Sequence, residues 1–268
     1  MQRHHQTSFM DVTMTTTRLR LGIISALEQE QTGLIENMTR TSTITRGRRD
    51  YVSGNLWGID AVCVLSRLGK VAAATTAATL IERFDVTHVV FTGVAGAADA
   101  KVRVGDIVVA DHLMQHDMDA SPLFPRFEIP LTGQSRLRSD KFLSDLLEKS
   151  ATSFAKNDFF VEIAPVDRHS FKLDRPRVHR GLIASGDEFI NCRTRLSDLK
   201  GELAEVLAVE MEGAAVAQVC SDYQTPFAVI RTISDNANED APVDFTRFVD
   251  RVASRYAYSI VRRLCMNE

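Results

Sequence analysis

Cysteine, long apolar runs and a surplus of one charge are all scarce in this sequence. Its 268 residues hold four cysteines, Cys63, Cys192, Cys220 and Cys265, with no CxxC pair and no spacing suited to a metal. In a chain this long they read as reduced thiols filling apolar space, which excludes a disulfide-stapled scaffold. No apolar run approaches the roughly 20 residues that a membrane-spanning helix needs. A surplus of one charge is missing as well: 32 Lys and Arg stand against 35 Asp and Glu, a formal net charge of −3. That balance leaves no electrostatic footprint for nucleic acid or an anionic membrane. The opening residues, MQRHHQTSFMDVTMTTTRLR, lack the apolar segment of a secretory signal. Residues 1–17 are expected to form a disordered tail, in which the His4–His5 pair carries little weight as a metal site. The expectation is a cytoplasmic protein.

What is present reads as one α/β domain over residues 18–268. Hydrophobic residues make up 44% and charged residues 25%, ordinary for a globular chain long enough to bury a sizeable core. The run LRLGIISAL suits a buried strand, and short strand-like runs from Thr43 to Gly69 alternate with Gly and Asn turns. The Arg46–Arg49 cluster within them reads as an exposed hairpin tip. KVAAATTAATLIERF has the alanine content and apolar spacing of a helix packed on a sheet. THVVFTGVAGAA is a buried strand running into a small-residue turn, and GDIVVADHLMQHD another strand. Pro122, Pro125 and Pro130 make Ala120–Gly133 a loop. DKFLSDLLEKSATSF reads as an amphipathic helix with Asp140 at its start, and DRHSFKLDRPRVHR as a strand–turn excursion. Toward the C-terminus come a helix around SDLKGELAE, the strand EVLAVEM, the helix GAAVAQVCSDY and the strand FAVIRTIS. A final helix follows, FTRFVDRVASRYAYSIVRRL, with Phe245 on its apolar face and Asp244 as its cap. Strands and helices alternate without a linker, so the expected architecture is a mixed β-sheet with helices on both faces.

Ligands in such folds sit beyond strand ends, and three carboxylate-bearing junctions lie there. In Ala26–Leu27–Glu28–Gln29–Glu30 a buried strand meets a helix, where first-turn acids are also simply stabilising. In Val209–Glu210–Met211–Glu212–Gly213 two acids interrupt an apolar strand end. Residues i and i+2 share a face in extended chain, so both can address the vicinal hydroxyls of one sugar. The alternative is a helix that begins at Glu212. In Ser234–Asp235–Asn236 an acid emerges from an apolar strand, either as a cap or as an acid catalyst whose carboxyl the Ser orients. Thr92–Gly93–Val94–Ala95–Gly96 permits close approach of backbone to a ligand but lacks the dinucleotide fingerprint. His116–Asp117–Met118–Asp119 resembles a metal motif only loosely, because a strand divides its side chains between two faces.

Taken in order, these segments resemble the methylthioadenosine/S-adenosylhomocysteine nucleosidases, a branch of the purine nucleoside phosphorylase superfamily. The resemblance rests on LGIISALEQE, SRLGKVAAATTAATLI, FTGVAGAADAKVRVGDIVVAD, QHDMDA, GLIASGDEFI, AVEMEGAAVAQVC and PFAVIRTISDNANED. It is weak between Leu131 and Arg180 and absent before Arg18.

The resemblance implies that Glu30 activates water, Glu212 holds the ribose hydroxyls with Met211 alongside, and Asp235 protonates adenine N7 with Ser234 nearby. It further implies that Phe189 stacks on adenine, that the Ile190 backbone meets the purine edge, and that Arg231 orients Glu212. Ala95 and Gly96 line the substrate site. Leu123 and Phe124 close the pocket of a partner subunit in a homodimer. No metal or organic cofactor is implied. Where the family often has TGSAGG, this chain has Val94 and Ala97, so a backbone contact is expected to survive and a hydroxyl contact to be lost. Phosphorolysis on the same fold, another purine nucleoside as substrate, and a non-catalytic purine-binding protein are the competing readings. Glu28 and Glu30 would repel phosphate, which favours water as the nucleophile.

Overall fold

The computed structural model describes residues 19–267; the expected tail, 1–17, and the His4–His5 pair lie outside the described residues. Strand β1 (Arg20–Ser25) is followed by a hairpin-linked set, β2 (Met38–Arg46), β3 (Arg49–Leu56) and β4 (Ile59–Leu65), then helix α1 (Lys70–Phe84). Next come β5 (His88–Ala97), β6 (Ile107–Gln115), the short β7 (Leu137–Arg138) and helix α2 (Lys141–Ser153). Two short helices, α3 (Phe159–Glu162) and α4 (Pro165–Ser170), lead to β8 (Val178–Ser185) and α5 (Arg193–Glu202). The chain finishes with β9 (Val206–Glu210), α6 (Gly213–Asp222), β10 (Phe227–Asp235), α7 (Ala241–Phe248) and α8 (Ser254–Met266).

All ten strands belong to one mixed sheet. The pairings β5–β10, β10–β6, β6–β8, β8–β9 and β9–β5 close on themselves, and β1, β4, β3 and β2 extend from β5. Successive residues of the central strands face opposite sides, as strand geometry requires. Ile24, Val62, Val64, Val89 and Phe91 pack with Ala73, Ala77 and Leu80 of α1 and Ala214, Ala217 and Cys220 of α6. Ile23, Ala61, Cys63 and Val90 turn the other way, onto Leu143 and Leu147 of α2 and Tyr256 and Ile260 of α8. Each fully buried aliphatic side chain contributes roughly 1.5–3 kcal/mol, so these two cores hold the helices to the sheet. The expected sheet with helices on both faces is therefore what forms. No helix among the described residues is long and apolar enough to cross a membrane.

Four local expectations are corrected. The run TGVAGA is not a turn: β5 continues through it, because β10 pairs along it as far as Gly96 and β9 meets Gly96 and Ala97 from the other side. Where ALEQE was expected to open a helix there are two short 3-10 turns, Glu28–Glu30 and Ile35–Asn37, and the Glu30 carboxylate is drawn back onto the backbone at the start of the first. Residues 165–170 form a helix opened by Pro165, since a first-turn proline loses no hydrogen bond. The last helix starts at Ala241 with Asp240 at its cap position, so Asp244 lies in the first turn, and a π-helical turn, Val249–Ala253, joins α7 to α8. Asp140, by contrast, does cap α2, accepting the Leu143 N–H at 2.8 Å.

Candidate active site

The parallel strands β1, β5 and β10 run side by side, β1 stopping short while β5 and β10 end together, and β9 arrives antiparallel to β5 with Val209 opposite Gly96. Their ends enclose a cavity of about 290 Å³ lined by Glu30, Glu210, Glu212 and Asp235 among mainly apolar groups. Ala95, Gly96, Met211, Phe189 and Ile190 also line it.

Glu30 is buried and tightly held. Its Oε2 accepts the N–H groups of Ala26 (2.9 Å) and Leu27 (3.0 Å), and its Oε1 accepts that of Val94 (2.9 Å). Three donors leave Oε1 with a free lone pair, since each carboxylate oxygen accepts two hydrogen bonds. Burial pushes its pKa above the ordinary carboxylate value, against the pull of Arg231 and of those backbone donors. The glycines of β5 make this possible. A Cβ on Gly93 would come within 2.8 Å of Glu30 Oε1, and one on Gly96 within 3.0 Å of Asp235 Oδ1. The small-residue run thus makes room for two acids. The departure at Val94 keeps its backbone contact, because that N–H holds Glu30.

Asp235 is likewise buried. Its Oδ1 accepts the Ala237 N–H (2.8 Å), and Ser234 Oγ lies 2.7 Å from Oδ2 and 3.3 Å from the Ala95 carbonyl oxygen. The hydroxyl can therefore serve both protonation states. It donates to an ionised Oδ2, or accepts from a protonated one and donates to Ala95. Burial raises the pKa of Asp235, opposed by the hydrogen bonds from Ser234 and Ala237. Ser234 itself does not line the cavity. It supports Asp235 from behind.

The two acids at the end of β9 have separate tasks. Glu212 occupies the cap position of α6 without capping it, and its Oε1 accepts the Gly69 N–H at 2.8 Å. Glu210 is turned inward. Ser185 Oγ and the Gly213 N–H donate to its Oε1, while Arg231 Nη2 (2.6 Å), Gly213 N–H (2.8 Å) and Glu212 N–H (3.2 Å) donate to Oε2. Arg231, 1% exposed, is thus bound to Glu210 and absent from the cavity wall, contrary to the expectation that it orients Glu212. The register of β9 against its neighbours puts the first acid, not the second, beside the guanidinium.

Several lining groups were not anticipated, Phe245 and Leu68 among them. Phe245, which also packs on the core, meets Phe189 edge-on with centroids 5.5 Å apart and lines the cavity. Leu68 lines it from the approach to α1. Leu123 and Phe124 do not line this chain's own cavity.

A family model described as the phosphorylase superfamily matches residues 20–265. A 5′-methylthioadenosine/S-adenosylhomocysteine nucleosidase of Shewanella denitrificans is 35% identical over 92% of this chain and 99% of its own length. The chain belongs to this nucleosidase family of the phosphorylase superfamily. Among solved structures, the Neisseria meningitidis nucleosidase in complex with methylthio-immucillin-A superposes with a TM-score of 0.82 and is 31% identical, covering 93% of this chain and 99% of that one. The Colwellia psychrerythraea nucleosidase in complex with adenine gives 0.80 and 32%, covering 92% and 95%.

In this nucleosidase-family chain, the crowding of acids has a measurable consequence. Burial, and then the neighbouring Glu210, push the pKa of Glu212 up to about 8. The folded state therefore binds a proton that the unfolded chain has already released. This stability is fully present below the ordinary glutamate pKa of about 4.5 and is lost as pH rises through about 8. Each unit of displacement is worth about 1.4 kcal/mol. Glu212→Gln is therefore expected to melt close to the parent at about pH 5 and well above it at about pH 9. A difference in melting temperature that stays constant across that range overturns this reading.

Proposed function

We propose that the protein hydrolyses the N-glycosidic bond of 5′-methylthioadenosine and S-adenosylhomocysteine, releasing adenine and the 5-thioribose product. The observation that carries this reading is the composition of the cavity wall. Acids line it from three directions, and among the described residues no Lys or Arg does. A neutral nucleoside and water fit such a wall; phosphate requires cationic or backbone donors.

Breaking the C1′–N9 bond leaves positive charge on the ribose and sends the bonding pair into the base. Burial holds a proton on Glu212 below about pH 8. That proton leaves to solvent as the ribose hydroxyls dock, and the ionised carboxylate accepts their hydrogen bonds and stabilises the positive charge, with Met211 alongside. Asp235 transfers its proton to N7 as the base departs, and Ser234 holds the carboxylate that remains. Water attacks C1′ while Glu30 takes its proton through the free lone pair of Oε1, so each proton lost by one group is gained by another. Phe189 stacks on the purine and the Ile190 backbone meets its edge. Ala95 and Gly96 form the floor. Arg231 binds Glu210, whose carboxylate holds the Glu212 backbone, and its charge also favours the ionised forms of Glu30 and Glu212.

The same family relationship supports a homodimer in which Leu123 and Phe124 of one subunit close the other's pocket. Leu123 is 83% exposed, and Leu68 at the pocket and Val71 beside it are 53% and 78% exposed, which suits an apolar contact. The four free thiols suit a cytoplasmic setting. The deciding experiment is product analysis with and without phosphate. Adenine and the free thioribose are expected in both, at rates equal within about twofold. Formation of a ribose 1-phosphate, dependent on added phosphate, replaces hydrolysis with phosphorolysis.

A further inference from the structure

The His116–Asp117 pair has no part in the steps above, yet it lies under the loop that carries the purine contacts. Asp117 Oδ1 accepts Lys70 Nζ at 2.6 Å, and its Oδ2 accepts the Asp187 N–H at 2.9 Å. Asp187 Oδ1 in turn accepts the Lys70 backbone N–H at 2.8 Å. These bonds close a ring through the side chain and backbone of Lys70, Asp117 and Asp187. Both ends of the ring point at the site. Gly69, next to Lys70, holds the carboxylate of Glu212. Phe189 and Ile190 follow Asp187 by two and three residues and line the cavity.

His116 supplies the floor beneath this loop. It is buried, with neither ring nitrogen hydrogen-bonded, and its imidazole lies against Gly186, where a Cβ would come within 2.3 Å of a ring carbon. Burial pushes its pKa down, so the ring acts as a neutral platform. The loop can neither sink into the ring nor, while Asp117 holds Asp187, lift from the start of α1. Lys70 is fully engaged: its Nζ also reaches Gln115 Oε1 at 3.0 Å.

We propose that Asp117 is a positioning residue for base recognition. It pins the Gly186–Ile190 loop to the start of α1 and so sets Phe189 and Ile190 at a fixed distance from the ribose acid Glu212. This rests on the reading of the cavity as a purine nucleoside site. An exposed ion pair adds little to stability, so the effect is to be sought in affinity for the base.

The test uses the full chain and its Asp117→Ala and Asp117→Asn variants. KM and kcat for methylthioadenosine, the inhibition constant of free adenine, and the melting temperature are measured for each. Asp117→Ala is expected to raise KM and the adenine constant together by about tenfold, with a much smaller fall in kcat. Asp117→Asn keeps an acceptor for the Asp187 N–H but loses the charge facing Lys70, and is expected to recover part of the adenine affinity. If Asp117→Ala does not fold, Lys70→Met breaks the same ring from the helix side and is read in the same way. A lower melting temperature with adenine affinity unchanged marks a merely structural role and overturns the assignment. If the parent protein releases no adenine from methylthioadenosine, the nucleosidase reading itself falls, and with it the base loop. If the parent does release adenine and Asp117→Ala binds it as the parent does, only the role of Asp117 falls.

Discussion

Asp235→Asn is expected to lower adenine release at saturating methylthioadenosine by about three orders of magnitude, the scale of a lost general acid. The amide matches the carboxyl in shape, and its oxygen still accepts the Ala237 N–H that now binds Oδ1. Its NH2 can donate to Ser234 Oγ, which then turns to the Ala95 carbonyl, so the local fold persists. What disappears is a proton that can move to the departing base. A transition-state analogue is expected to remain bound detectably, because Glu212, Phe189 and the cavity wall are unchanged. Single-turnover release of adenine checks this, with analogue binding as the control. Turnover within tenfold of the parent removes Asp235 from the mechanism. The raised pKa of Asp235 matters here, since burial keeps the acid form available at higher pH than an exposed aspartate would.

Arg231→Met is expected to cost roughly 3–5 kcal/mol of folding stability, because it leaves Glu210 buried without its counter-charge. The guanidinium is bound to Glu210, lies 4.0 Å from the centre of the Phe91 ring, and has Nη1 within 3.4 Å of the Phe91 carbonyl oxygen. Water cannot replace these contacts at a residue so fully enclosed. For a domain of this size the loss corresponds to a fall in melting temperature of about 10 °C. Glu210→Gln in the same chain is expected to restore much of it, because removing both charges is far cheaper than stranding one. Thermal or urea unfolding of the two variants checks this. A single variant within about 1 kcal/mol of the parent, with no recovery in the double, would mean that the pair is not needed. Activity is expected to fall in the single variant as well, since Glu210 holds the backbone of Glu212.

Much of the site was readable because its acids stand where a buried strand gives out. Each of the three junctions breaks an apolar run with charge, and such breaks are visible without a fold. Which acid matters at the first two, Glu30 rather than Glu28 and Glu212 rather than Glu210, is what the family resemblance implies. The capping of α2 by Asp140 was legible for a similar reason: it is a contact within four residues. Legibility failed where partners lie far apart in the chain. Arg231 and Glu210 are 21 residues apart, and only the pairing of β9 and β10 with β5 decides which of two neighbouring glutamates the guanidinium meets. Phe245 packs on the core as its helical spacing predicts, but that spacing gives no sign that the same ring also lines the cavity. Asp117 carried no signal beyond an unconvincing metal motif, since its partners come from α1 and the loop after β8.

By itself, the sequence determined the main alternation of strands and helices, the two apolar faces of the sheet and the three acid-bearing junctions at its strand ends. These follow from periodicity and from the cost of burying charge, both of which act over a few residues. Only the tertiary structure decided how the acids share one small cavity. Closure of the strands brings Glu210 to Arg231, Gly69 to Glu212, and the backbone of β5 within hydrogen-bonding reach of Glu30. Those contacts set which carboxylate is neutralised, which keeps a raised pKa and which retains a lone pair for water. Proton affinity depends on burial and neighbouring charge, and both are properties of the packed chain.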